Sequence, residues 1–105
     1  MDAPFIIDTV GRDGSLVLVV RGELDIATSP QLDEALARAR GTNAASIVVE
    51  LGAVSFIDSS GLHVLIKHAR SENGRARVRL TRGSAQTQRL FELSGTAEHL
   101  PFVSE

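Results

Sequence analysis

Two adjacent hydroxyls beside a carboxylate, in the segment Asp58-Ser59-Ser60-Gly61-Leu62, are the most reactive constellation in the chain. The run Phe56-Ile57 before them is apolar and Leu62, Leu65, Ile66 and Ala69 after them recur at helical spacing, so the segment joins a buried strand to a helix. That places polar groups at a strand's carboxyl end, where open α/β sheets gather their function. The structural alternative is that Asp58, Ser59 and Ser60 only satisfy the unpaired N–H groups that open the helix. One capping side chain is enough for that. Neither serine has a Glu or Gln three residues on to complete a capping box, since Ser59 leads to Leu62 and Ser60 to His63. A spare hydroxyl at an exposed helix start is open to modification or to contact with a partner.

Catalytic uses of these serines are poorly supported. A nucleophile elbow needs Gly-x-Ser-x-Gly, and Ile57 stands where the first glycine would be. His63 and His68 are five apart, roughly 140° around a helix, so they converge on neither a metal nor a nucleophile. Both read as surface histidines, and His99 has no supporting context. Neither Gly-x-x-x-x-Gly-Lys nor Gly-x-Gly-x-x-Gly occurs, so nucleotide chemistry by the chain itself is not expected. No catalytic residue, cofactor or metal ligand is assigned.

The elements that position this segment can be read outward from it. Phe5 to Val10 and Leu16 to Val20 are β-branched runs around Gly11-Arg12-Asp13-Gly14, the signature of an antiparallel hairpin at the N-terminus. Thr28-Ser29-Pro30 supplies a helix N-cap with proline at the first turn, and Asp33 and Glu34 follow where carboxylates suit the dipole. Leu32, Ala35, Leu36 and Ala39 form its apolar stripe, and Gly41 offers a left-handed stop. Ser46 to Leu51 is apolar on consecutive positions, as in a strand covered on both faces. The helix after Ser60 is expected to end near Asn73-Gly74, and Arg75 to Leu80 alternates as a strand, parallel to the preceding one. Ser84 can cap a third helix through Leu93, stopped by Ser94-Gly95, with a last edge element at Pro101-Phe102-Val103.

With 105 residues the chain forms a single domain, 1–105, with one core. A net charge of −2 provides no broad positive field, which weighs against nucleic acid or anionic lipid as a direct partner. Arg75, Arg77, Arg79 and Arg82 read as a solvated strand face or a charged edge that blocks aggregation, because no aromatic residue lies between them as a stacking platform. There is no cysteine, hence no disulfide framework. Met1-Asp2-Ala3-Pro4 is acidic where a secretion signal is basic, and no apolar run nears the roughly 20 residues of a membrane span; a cytoplasmic location without membrane contact is the expectation.

Three segments in this order and spacing carry a resemblance: Gly22-Glu23-Leu24-Asp25 with Ala27 and Thr28, Phe56-Ile57-Asp58-Ser59-Ser60-Gly61-Leu62, and Leu90-Phe91-Glu92-Leu93-Ser94-Gly95. Over nearly its whole length the chain resembles the STAS domain, and within it the stand-alone bacterial anti-sigma factor antagonists. The resemblance implies an α/β fold, a mixed sheet of four or five strands with helices mainly on one face. It implies a regulator and no enzyme, with Ser59, the first serine after the aspartate, as the phosphorylation site. The implied partners are an anti-sigma factor that is also a serine kinase with a histidine-kinase-like ATP-binding fold, and a separate serine phosphatase. Glu23, Asp25, Thr28, Asp58, Ser59, Ser60, Gly61, Leu62 and His63 make up the expected partner surface. The alternative is a STAS subunit of a stress-signalling or lipid-transport complex. Two positions depart from the family pattern: His63 where many relatives have a small residue, and Thr96 where an apolar residue often follows the Ser-Gly pair.

Overall fold

The computed structural model describes residues 4–70 and 77–103. Strands β1 (Ile6–Arg12) and β2 (Ser15–Leu24) form the N-terminal hairpin, followed by α1 (Ser29–Arg40), β3 (Ser46–Ile57), α2 (Ser59–Ala69), β4 (Val78–Leu80) and α3 (Ala85–Leu93). The four strands lie in the order β1-β2-β3-β4, with β1 antiparallel to β2 and β2, β3 and β4 mutually parallel. The hairpin closes through Asp13 (φ 44°) and Gly14 (φ 82°), both left-handed as a two-residue turn requires. Leu80 makes an isolated parallel bridge to Phe102, the short edge element expected at Pro101 to Val103.

One face of the sheet carries the core. Leu18, Val20 and Leu24 on β2 and Ile47, Val49 and Leu51 on β3 are fully buried, at the two-residue period that points side chains to one side. Leu32 and Leu36 of α1, Leu65 of α2 and Phe91 of α3 complete the same cluster, so all three helices contribute to one layer over that face. Val17 and Val19, on the opposite face of β2, are less completely covered, and Arg21 is exposed. The alternation fixes which way each strand is turned, and the helices follow from it.

Several local expectations give way to tertiary contacts. β3 continues to Ile57, not Leu51, so the serine segment begins directly at the strand end. Thr28 stands at the N-cap of α1 with Pro30 in the first turn, as expected, but its side chain does not cap the helix; Asp25 Oδ1 accepts from the N–H groups of Ala27 (2.9 Å) and Thr28 (3.1 Å), while the Thr28 hydroxyl donates to the Glu23 carbonyl (2.8 Å). Gly41 ends the helix in a right-handed conformation (φ −78°), with its N–H shared between the carbonyls of Ala37 and Arg38. α2 stops at Ala69, and Asn73-Gly74 lie outside the described residues.

His68, expected at the surface, is 3% exposed and wedged between α1 and α2. Arg77 is not part of a solvated strand face either: its guanidinium donates to the carbonyls of Arg40 (2.7 Å), Thr42 (2.6 Å) and Ala44 (2.8 Å), which ties the α1–β3 loop to the start of β4. Arg75 lies outside the described residues, Arg79 is exposed, and Arg82 sits over the Phe102 ring at 5.6 Å. At the third helix the expectation holds, with Ser84 Oγ accepting from Thr87 N–H (3.3 Å) and Gly95 (φ 76°) after its end. Thr96 is absorbed there by polar contacts, its N–H donating to the Phe91 carbonyl (3.0 Å) and its hydroxyl lying 2.8 Å from Ser94 Oγ.

Candidate functional site

Where β2 and β3 end side by side, Asp58 turns the chain into α2. Its backbone is extended (φ −113°, ψ −172°) and its N–H donates to the Leu24 carbonyl (3.1 Å), so the turn is pinned to the end of β2. The carboxylate then caps the helix, Oδ1 accepting from the N–H groups of Ser60 (2.9 Å) and Gly61 (3.2 Å) and from the Ser60 hydroxyl. The Ser60 hydroxyl bond is the strongest influence holding the Asp58 carboxyl below the usual aspartate range; partial burial opposes it, and the N–H groups of Gly61, Ser60 and Ile26 add to it. The capping function belongs to Asp58, not to either serine.

The two serines consequently differ. Ser60 is half-buried, bonded to Asp58, and 3.5 Å from the buried Ser29 Oγ at the start of α1. Ser59, the first residue of α2, is exposed, and its hydroxyl makes no hydrogen bond among the described residues. A hydroxyl with no internal role is the one a modifying enzyme can reach without breaking the fold.

Gly61 and Leu62, expected in the contact surface, are buried and therefore support it from beneath. A Cβ on Gly61 would lie 2.7 Å from Leu24 Cγ and 2.9 Å from Ile57 Cγ1, so only glycine lets the first turn of α2 settle on the ends of β2 and β3. Of the other expected residues, Glu23 and His63 are exposed, while Asp25 and Thr28 are half-buried and bonded to each other's backbone or side chain. Glu23 pairs in register with Phe56 across β2 and β3.

Two apolar residues join this surface that sequence reasoning did not single out. Ile26 is 80% exposed and its backbone N–H faces the Asp58 carboxylate; Phe56, Glu23's neighbour, is 49% exposed. Large apolar side chains left in solvent are the kind that protein contacts cover. Their period signalled nothing, because exposure here follows from the β2–α1 loop and from the irregular pairing at Gly22 and Glu23. Among the described residues, no group of three His, Asp or Glu side chains is arranged to hold a metal, and no helix is long and apolar enough to cross a membrane.

Comparison with known proteins places the whole fold. The family model of the STAS domain matches residues 7–105. An anti-sigma-B factor antagonist from Staphylococcus aureus (strain NCTC 8325 / PS 47) is 34% identical over 90 residues, 85% of this chain and 83% of the relative. The crystal structure of an anti-sigma factor antagonist from Mycobacterium paratuberculosis superposes with a TM-score of 0.86 at 25% identity, covering 100% of this chain and 92% of that one. The antagonist SpoIIAA matches in its unphosphorylated form (TM-score 0.72, 25% identity, 97% and 90% covered). The Bacillus cell fate determinant SpoIIAA in the phosphorylated form also matches (0.65, 26%, 97% and 93%).

Proposed function

The chain belongs to the STAS-domain family, and we propose that it is a cytoplasmic anti-sigma factor antagonist whose binding is switched off by phosphorylation of Ser59. The observation that carries this reading is the contrast between the neighbouring serines: Ser60 is turned inward onto Asp58, and Ser59 is exposed with its hydroxyl unused among the described residues. In the unmodified state the protein sequesters an anti-sigma factor, which is also the kinase, and the sigma factor goes free. A separate serine phosphatase restores the hydroxyl.

The contact surface is Ser59 with Glu23, Ile26, Phe56 and His63 around it, backed by Asp25, Thr28, Asp58, Ser60, Gly61 and Leu62. Ile26 and Phe56 supply apolar anchors, and docking removes them from water. A phosphate on Ser59 adds about −1.5 to −2 charges. Against an acidic group of the partner about 6 Å away, each unit charge costs roughly 3 kcal/mol at an effective dielectric near 20. Since about 1.4 kcal/mol is tenfold, a single unit of that charge is enough for a loss of affinity on the order of a hundredfold. No refolding is needed, and the similarity of this fold to both a phosphorylated and an unphosphorylated relative supports that view.

The test is to incubate the protein with ATP and its anti-sigma factor, map the phosphate by mass spectrometry, and measure affinity. Phosphate is expected on Ser59 alone, Ser59→Ala is expected to bind like the wild type, and Ser59→Asp to bind poorly while remaining folded. Phosphate on another residue, or equal affinities for the two variants, rules the switch out.

A further inference from the structure

A phosphate on Ser59 meets a helix start where the N–H donors of Ser60, Gly61 and Leu62 are already occupied. The N–H groups of Ser60 and Gly61 donate to the Asp58 carboxylate, and that of Leu62 donates to the Asp58 carbonyl (3.0 Å). An anion usually gains its stabilisation at a helix N-terminus from those same groups. Beside it lies the Asp58 carboxylate, held below the usual aspartate range chiefly by the Ser60 hydroxyl and further by the Gly61 and Ser60 N–H groups.

His63 follows Ser59 by four residues on α2, and both are exposed. Residues four apart lie one above the other on a helix, with Cβ atoms about 5–6 Å apart. Helical side chains lean toward the N-terminus, so a residue covers the turn preceding its own Cα. This spacing and lean put the Ser59 side chain within reach of the His63 side chain. One turn further along the same face, Lys67 is engaged by Asp33 at 3.0 and 3.1 Å. Asp58 before the helix, Glu23 in β2 and Asp25 just after it are acidic.

We infer that His63 is the built-in counter-ion of phosphoserine 59. In the modified protein the imidazolium donates an N–H to a phosphate oxygen, partly neutralising the charge that repels the partner. A phosphomonoester takes up its second proton between weakly acid and neutral pH, so the pairing makes the strength of the switch pH-dependent in that interval. The inference rests on the reading that Ser59 is the acceptor, but its test does not need a kinase.

Phosphoserine is installed at position 59 during translation, and the ³¹P resonance is titrated with pH in otherwise wild-type protein, in His63→Gln and in His63→Lys. A protonated neighbour favours the phosphate dianion. The second phosphate ionisation is therefore expected at lower pH with His63 than with Gln, by about half a pH unit, or roughly threefold in the ionisation constant. Lysine should reproduce the lowering, and 1 M salt should shrink it. Coincident curves for the wild type and His63→Gln overturn the inference. If the anti-sigma factor leaves Ser59 unmodified while these curves still separate, the proposed function fails and the pairing stands.

Discussion

At the C-terminal end of α2, His68 is 3% exposed and both ring nitrogens have partners on α1; at the N-terminal end, Ser59 faces solvent and its hydroxyl has no partner among the described residues. A guanidinium has no acceptor, so Arg40 Nη1 donates to His68 Nδ1 (3.3 Å) and His68 Nε2–H donates to Asp33 Oδ1 (2.6 Å). Lys67 reaches the same carboxylate, and Arg77 closes the adjoining loop. Buried polar groups are costly unless paired, so this end has essentially one arrangement. One end of the helix thus fixes the position of the other, which is left to carry recognition.

Removing His68 is the strongest way to break that division of labour. His68→Ala leaves a cavity between α1 and α2 and removes a hydrogen bond from Asp33, for an expected loss of about 2–4 kcal/mol in denaturant unfolding. A change under about 0.5 kcal/mol, the range of ordinary surface substitutions, would mean that this end does not anchor the helix. Ile26→Asp addresses the opposite end. It is expected to weaken binding to the anti-sigma factor about tenfold or more, measured by calorimetry, with an unchanged melting temperature. Unchanged affinity would remove Ile26 from the contact surface.

A smaller effect tests both ends together through pH. Asp33 is held below the ordinary aspartate range, first by the hydrogen bond from His68 and then by Lys67, while Asp58 is lowered chiefly by the Ser60 hydroxyl. A carboxyl depressed in the folded state contributes stability that is fully present above its unfolded value near pH 4 and is lost as pH falls through the lower folded value. Stability is therefore expected to decline on acidification below about pH 4. Asp33→Asn and Asp58→Asn should each flatten that decline. An acid limb unaltered in both variants would show that neither carboxylate is preferentially ionised in the fold.

Short-range signals were legible where they act through neighbours in the chain. Asp13-Gly14 closes the hairpin, Ser84 caps α3, and the apolar periods of α1 and α2 mark the faces that are buried. Glu23, Ser59 and His63 also fall at the surface, as their positions implied. Reasoning from the same local rules misassigned the Thr28 side chain, Gly41, His68 and Arg77. Thr28 and Gly41 occupy positions where several caps are sterically possible, and the loop geometry selects one. For His68 and Arg77 the deciding partners are 28 to 37 positions away, beyond any helical or strand period.

The sequence by itself determined the order of elements, the hairpin, the parallel crossover from β3 to β4 and a polar strand-to-helix junction holding two serines, because each follows from local dihedral preference and apolar periodicity. Only the tertiary structure decided how those serines differ. Asp58 is fastened to the end of β2 and Ser29 of α1 packs against the junction, so Ser60 is drawn inward and Ser59 is left facing water. Adjacent residues of one type share their local preferences, and contacts made across the fold are what separate them.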